Sequence, residues 1–110
     1  MLQLRKGTFF IWVHENTGDY LQEKEGYIFK YGGMLFGTDF RNKKWVVTEL
    51  STGLRIDGSP IKSKNNIEEY MKERIDRIER MEKSDTVEGW RRMFRELSIK
   101  EKEHDSRNAE

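Results

Sequence analysis

The stretch Lys44–Ile56, which reads KWVVTELSTGLRI, constrains the fold more than any other part of the chain. Its first half, Trp45–Thr48, consists of aromatic and β-branched residues of the kind that favour strands. The hydroxyl residues and the glycine of Ser51–Gly53 then supply turn chemistry, with Gly53 suited to the left-handed position of a short hairpin loop. We therefore predict a hairpin here, around which the rest of a sheet is arranged.

Upstream segments have the pattern of further strands in the same sheet. Thr8–Val13 is a continuous apolar run, as in a strand that is buried on both faces. Tyr27–Tyr31 alternates and is separated from the extended stretch Met34–Phe40 by two glycines, which is a strong hairpin signal. The sequence thus predicts an antiparallel β-meander of four or five strands over residues 8–56.

Downstream of the sheet, the apolar spacing changes to that of helices. A stripe that begins at Ile67 continues at helical spacing and predicts a long helix over residues 65–83. After an interruption with a new cap, a second stripe predicts a shorter helix over residues 86–100. Residues 101–110 have no apolar side chain larger than alanine and are predicted to be a disordered tail. The predicted fold is a single α+β domain over residues 1–100.

Composition limits the size of the core. Charged residues make up 37% of the chain, well above the ~25% that is usual, and hydrophobic residues make up 35%. Because this core is thin for 110 residues, we predict that a homo-oligomer buries further surface. The net charge of +1 gives no global field for nucleic acid or an anionic membrane. The chain has no cysteine and no apolar run near the ~18 residues of a membrane span, so we predict no membrane partner.

Catalytic chemistry has little support in the sequence. His14 and His104 are the only histidines, and His104 falls in the predicted tail. His14 precedes Glu15, and such a pair serves as general acid and base in enzymes, but the sequence offers no nucleophile beside it. No cluster has metal-ligand spacing, and the glycines match no phosphate-binding motif. We predict that the protein is not an enzyme and has no catalytic residue, no metal site and no cofactor.

The aromatic residues indicate a binding surface instead. Ten of the thirteen fall within the first 45 positions, among scattered cations. Rings bordered by cations suit a nucleobase and its phosphates, while packing beneath the helices explains the same rings. The turn at Ser51–Gly53 either offers hydroxyls and backbone to a phosphate or ribose, or is a plain hairpin turn. The candidate ligand-binding residues are Arg41, Trp45, Thr48, Ser51, Thr52, Gly53 and Arg55.

Arginines on the predicted helices form a second candidate surface. Side chains that recur every three residues lie close together on one helix face. They form either a solvated face paired with neighbouring acidic residues or a surface for a partner's phosphates or carboxylates, which the planar guanidinium group recognises well. The candidate partner-binding residues are Arg74, Arg77, Arg80, Arg91 and Arg92.

The segments Trp45–Thr48 and Thr52–Ile56, followed by an amphipathic helix, resemble small proteins encoded by phages and prophages. The plan of a small antiparallel sheet and a C-terminal helix, over roughly residues 27–83, is similar to that of the Thoeris anti-defence sponge proteins. This resemblance implies sequestration of cyclic ADP-ribose signals or cyclic oligonucleotides at sites between subunits, in the cytoplasm of a bacterial host cell. It carries no individual ligand residue over to this chain.

We therefore expect a non-enzymatic phage anti-defence protein that binds and sequesters a cyclic nucleotide-type immune signal. The alternative is a protein–protein inhibitor or adaptor, similar to an anti-CRISPR protein or a phage early regulator, that engages a host defence protein through its charged helices. A third option is general binding of single-stranded nucleic acid, which the low net charge disfavours.

Overall fold

A computed structural model describes residues 2–56 and 61–108 of the chain. Its first half is one antiparallel sheet in which every strand pairs with the next strand along the chain, as the meander prediction requires. The strands lie within residues 5–55, close to the predicted region 8–56. The strands are β1 (Arg5–Glu15), β2 (Gly18–Tyr31), β3 (Met34–Arg41), β4 (Lys44–Glu49) and β5 (Leu54–Arg55).

Residues with positive φ make the hairpin turns. Gly32 and Gly33 have φ of 58° and 82°, the handedness that suits a two-residue hairpin loop between strands of natural twist. Asn42 and Lys43 take the same handedness between β3 and β4, with φ of 50° and 65°. Gly53 has φ of 69° and ends the reversal between β4 and β5, so the left-handed glycine predicted there is confirmed.

The sheet curls until its two outer strands meet, giving a half-barrel. The backbone N–H of Trp12 on β1 donates a hydrogen bond to the carbonyl of Gly53, just before β5, at 3.0 Å. Curvature toward one face also brings the Phe9 ring onto Gly37 of β3, where a Cβ atom would lie 2.8 Å from the ring. The register places Phe9, Gly37 and Thr48 on this face, which we call the inner face.

Helices cover the opposite, outer face. Phe29, Phe36 and Val47 project from β2, β3 and β4 into a core with Met71 and Ile78. Because β4 is covered on the outer face and enclosed on the inner face, all four of its last residues are buried, although they alternate in direction. The helices are α1 (Ile67–Glu73), α2 (Ile75–Lys83) and α3 (Asp85–Asn108).

The helical region differs from the prediction of one long and one shorter helix. The predicted helix over 65–83 is broken at Arg74, whose φ and ψ are −106° and 10°. Tyr70 of α1 is fixed to the sheet by a hydrogen bond from its hydroxyl to the Ile56 carbonyl at 2.8 Å. Beyond the break the apolar stripe does not continue on one face, because Ile75 is 43% exposed while Ile78 is buried. Neither proline nor glycine marks this break in the sequence.

The last helix is the longest, with 24 residues, and packs on the far end of the outer face. Phe94 is buried there against Phe10 and Leu21, with Trp12 and Leu97 at the edge of the cluster. The backbone of α3 continues to Asn108 through most of the segment predicted as a disordered tail, where lysine and glutamate are good helix formers. The last two residues of that predicted tail lie outside the described part. In the residues that the structure describes, no helix is both long and apolar enough to cross a bilayer.

Candidate functional site

The reversal after β4 is built on the carboxylate of Glu49, which is 1% exposed. The backbone N–H groups of Ser51 and Thr52 donate to its Oε1 and Oε2 atoms, each at 2.9 Å. The Thr52 hydroxyl donates to Oε2 at 2.7 Å, and the Ser51 hydroxyl donates to Oε1. A buried carboxylate is stable only when its oxygens are compensated, and four donors from one turn provide that compensation.

A cation from α3 completes the turn. The Nε atom of Arg91 donates to the Ser51 hydroxyl oxygen at 2.9 Å, and its Nη1 atom lies 3.4 Å from Oε2 of Glu88. The Thr52 hydroxyl oxygen also accepts a hydrogen bond from the Leu54 N–H at 3.2 Å. The hydroxyls of Ser51 and Thr52, which were candidates for a ligand, are therefore engaged in holding the turn and docking α3.

The inner face opens to solvent where β1 approaches β5. A cleft of about 280 Å³ lies there, and we call it the barrel-mouth cleft. It brings together four of the seven candidate ligand residues, from β3, β4, the turn and β5. Mouths of barrels are common places for ligand sites, and this cleft lies just below the usual range of about 300–1,000 Å³. The cleft is lined by Ile11, Trp12, Val13, His14, Arg41, Thr48, Gly53, Leu54 and Arg55.

Thr48, one of the residues that line this cleft, has a buried polar atom without an internal partner. The residue is 1% exposed, and its hydroxyl oxygen has no hydrogen-bond partner within the described residues. Burial of an unpaired hydroxyl costs roughly 1–3 kcal/mol, and most buried polar side chains avoid that cost. Thr48 pairs in register with Arg55 on β5 and lines the cleft together with Arg41, so the lining of the cleft combines this threonine with two cations.

The two arginines of the cleft differ in their pairing. Arg41 donates from Nη2 to Oδ1 of Asp39 at 3.1 Å, and Asp39 is 4% exposed. Arg55 is exposed, and within residues 2–56 and 61–100 no carboxylate forms an ion pair with it. Asp39 thus holds Arg41 in place and offsets its charge, while Arg55 gives the cleft a net positive charge.

Side chains at the tip of the β1–β2 hairpin bond to one another, and His14 among them lies at the rim of the cleft. The Nδ1 atom of His14 lies 2.8 Å from Oδ1 of Asp19, so the His14–Glu15 pair considered from sequence is not formed; Asp19 takes that place. Glu15 instead accepts a hydrogen bond from the Tyr20 hydroxyl at 2.9 Å. That hydrogen bond to a carboxylate raises the pKa of Tyr20 above its usual value.

Trp45, another candidate ligand residue, lies away from the cleft on the outer face. Its ring centroid is 6.0 Å from that of Tyr27 and 5.4 Å from that of Phe40. The aromatic set considered as one stacking platform is divided by the fold. Phe29 is 2% exposed and stacks on Phe36 beneath the helices, whereas Phe40 is 57% exposed.

The arginines predicted to bind a partner differ in their surroundings. The guanidinium carbon of Arg74 lies 5.3 Å from the ring centroid of Tyr70, and Arg91 points to the turn at Ser51. The other three, Arg77, Arg80 and Arg92, are exposed. Among the residues that the structure describes, no group of three or more histidine or acidic side chains is arranged to hold a metal ion.

Sequence reasoning did not identify Ile11 and His14 as residues of the cleft, or Glu49 as the centre of the turn. The β1 residues enter the cleft only because the curled sheet brings β1 to β5, a contact between distant segments that periodicity does not reveal. Glu49 does have a local signal, since an acidic residue precedes two hydroxyl residues and a glycine. Comparison of the chain with protein-family models, with curated proteins and with solved structures finds no match in any of the three.

Proposed function

We propose that the protein is a non-enzymatic binding protein that holds a phosphate-bearing, nucleotide-type ligand in the barrel-mouth cleft. The observation that supports this most is that Arg41 and Arg55 line one cleft together with Thr48, whose buried hydroxyl has no partner among the described residues. A phosphate group supplies negative charge for Arg55, which has no ion pair among the described residues, and an acceptor for the Thr48 hydroxyl once that side chain turns toward the cleft.

The size of the cleft defines how much of the ligand enters it. A volume of about 280 Å³ suits a phosphate with an attached sugar, and a base would extend beyond the rim. The carbonyl of Gly53 is engaged with Trp12, so the ligand contacts at this corner come from Arg55 and from the rim residue His14. Ser51 and Thr52 support the turn and take no part in binding.

The biological role that we propose is the one implied by the resemblance to anti-defence sponge proteins. The protein withholds a cyclic nucleotide-type immune signal from its host, in the cytoplasm of a bacterial cell and as a homo-oligomer. Binding without turnover is sufficient for this role, since a sequestering protein acts by lowering the concentration of free ligand.

Isothermal titration calorimetry tests the proposal with cyclic ADP-ribose isomers and cyclic oligonucleotides, and with ADP-ribose and inorganic phosphate as smaller probes. Thr48→Val removes the hydroxyl and keeps the shape, and the loss of a hydrogen bond to a charged group should weaken binding about tenfold. Arg55→Ala should weaken it at least as much. The matched control is Arg92→Ala, which removes an exposed arginine that does not line the cleft and should leave binding unchanged.

Two results would overturn the proposal. One is the absence of heat for every probe at micromolar protein. The other is wild-type affinity in both Thr48→Val and Arg55→Ala. The protein–protein alternative predicts a different pattern, in which charge reversal of Arg80 and Arg92 abolishes capture of a host defence protein while the cleft variants have no effect.

A further inference from the structure

Three aromatic side chains form a partly exposed patch on the outer face, on the other side of the sheet from the barrel-mouth cleft. They are Tyr27, Phe40 and Trp45, and we call them the aromatic patch. Phe40 is 57% exposed although it projects from the middle strand of the sheet, and its cross-strand partner Trp45 is only half-buried. A cluster of partly exposed rings on a sheet face can mark a binding surface.

Lysines border the aromatic patch. The Nζ atom of Lys64 lies 4.3 Å from the ring centroid of Tyr27, in cation–π geometry. Lys6 of β1 is directly opposite Tyr27 in the sheet register and so projects from the same face. Lys43 occupies the exposed turn that follows β3, near the end of the strand that carries Phe40.

A cleft of about 420 Å³ continues from the aromatic patch toward β1. The backbone of the opposed residues Gly7 and Gly26 crosses it, and the Tyr27 ring and Lys6 stand on its sides. The volume lies within the range of small-ligand sites, so it admits a ring with an attached sugar. Glu25 is the one carboxylate among the six residues that line the cleft.

We propose that the aromatic patch and this neighbouring cleft bind single-stranded nucleic acid. Bases stack on rings such as Tyr27, Trp45 and Phe40, and phosphates meet the lysines at the border. A local patch of this kind needs no large net charge on the whole protein, because few phosphates are contacted. The proposal concerns the outer face and does not depend on ligand binding in the barrel-mouth cleft.

Charge complementarity favours a polyanion over the other occupants of such a face. Two-fold pairing with a second copy would bring together two surfaces that are both bordered by Lys6 and Lys64, and these like charges disfavour the pairing. An apolar peptide would cover the rings and leave the lysines without compensation. A single strand of nucleic acid supplies flat bases that stack on the aromatic rings and regularly spaced negative charges that pair with the lysines.

Fluorescence anisotropy tests the proposal with a labelled oligodeoxythymidine of about 12 nucleotides, a length within the site sizes of single-strand binders. Phe40→Ala should weaken binding at least about fivefold, the lower limit for loss of one stacking ring. The matched control is Leu35→Ala. Leu35 is also on β3 and is 53% exposed, but it faces the other side of the sheet, so its removal should leave binding unchanged.

Charge variants and salt test the border of the patch. Lys64→Gln should weaken binding, and Glu25→Gln should strengthen it by removing the carboxylate from the cleft. Two phosphate contacts predict a slope of log K against log salt of about −1.4, so binding should weaken about sevenfold between about 50 and about 200 mM salt. Binding should also quench tryptophan fluorescence in the wild type and quench it much less in Trp45→Phe.

The proposal is overturned if the oligonucleotide does not bind at about 50 mM salt, where electrostatic contacts are strong. It is also overturned if Phe40→Ala and Leu35→Ala weaken binding equally, or if Phe40→Ala changes the oligomeric state measured by light scattering, which would assign the patch to a second copy. Phe40 is exposed, so the thermal unfolding temperature of Phe40→Ala should match that of the wild type. Thr48→Val separates the two proposed sites, because it should not affect binding of the oligonucleotide.

Discussion

Thr48 and Glu49 are neighbours on β4, yet their polar groups differ in hydrogen bonding. Both side chains are 1% exposed, but they project from opposite faces of the sheet. On the outer face, the Glu49 carboxylate accepts hydrogen bonds from two N–H groups and two hydroxyls of its own turn. On the inner face, the Thr48 hydroxyl has no partner among the described residues. The Glu49 carboxylate therefore supports the fold, and the Thr48 hydroxyl is part of the site that we propose for a ligand.

The largest expected effect is that of Glu49→Ala on stability. The substitution leaves buried donors of Ser51 and Thr52 without an acceptor, so the free energy of unfolding should fall by about 3–5 kcal/mol. Urea denaturation followed by circular dichroism measures it. The matched control is Glu88→Ala, since the Glu88 side chain is 59% exposed and its removal should cost less than about 0.5 kcal/mol. A loss below about 1 kcal/mol in Glu49→Ala would show that the turn does not depend on this carboxylate.

Gly53→Ala tests the glycine of the turn between β4 and β5. Its φ of 69° disfavours a side chain, and a Cβ atom there would lie 2.1 Å from Cε2 of Phe94. We expect a loss of about 2–3 kcal/mol by the same denaturation measurement, because strain and overpacking both contribute. Gly89→Ala is the matched control, since a Cβ atom there meets nothing within 4 Å and the helical position should gain up to about 1 kcal/mol. Equal effects in the two variants would contradict this assignment.

The same substitution in Thr48→Val and Thr52→Val compares a hydroxyl without a partner with a hydroxyl that is hydrogen-bonded. Thr52→Val removes a hydroxyl that donates to Glu49 and accepts from Leu54, so stability should fall by about 1–2 kcal/mol. Thr48→Val removes a hydroxyl without a partner, so stability should stay constant or rise by up to about 1 kcal/mol. Thermal unfolding followed by circular dichroism gives the sign of each change. The same sign in both variants would mean that the Thr48 hydroxyl has an internal role.

Arg55→Ala should have the smallest effect on stability. Its side chain is exposed and has no ion pair within the described residues, so the free energy of unfolding should change by less than about 0.5 kcal/mol. A decrease of more than about 1 kcal/mol in the free energy of unfolding, measured by urea denaturation, would indicate that the arginine stabilises the barrel and is not available to bind a ligand.

Local signals in the sequence predicted the sheet well. The paired glycines at Gly32 and Gly33 and the left-handed Gly53 gave two of the hairpins, because the turn type requires positive φ at those positions. The helix break at Arg74 was not predictable, since helix propensity is uninterrupted there; the break follows Tyr70, which is hydrogen-bonded to the Ile56 carbonyl.

The sequence predicted part of the lining of the barrel-mouth cleft. Arg41, Thr48, Gly53 and Arg55 meet in one cleft because the strands β3 to β5 are consecutive and pair in register. Trp45 is adjacent in sequence, but its position on the strand directs it to the outer face with Phe40. The alternation of side chains along a strand indicates which residues share a face. Which of these faces forms the cleft is known only once the register and the curvature of the sheet are known.

The single backbone hydrogen bond from Trp12 to Gly53 has a consequence for the order of folding. Every strand pairing in the sheet is a hairpin between consecutive strands, whereas this bond joins residues about forty positions apart and carries a larger entropic cost of loop closure. We expect the hairpins to form first and the closure of β1 onto β5 to come late. The barrel-mouth cleft exists only after closure, so a ligand that occupies it would slow unfolding and leave the rate of hairpin formation unchanged.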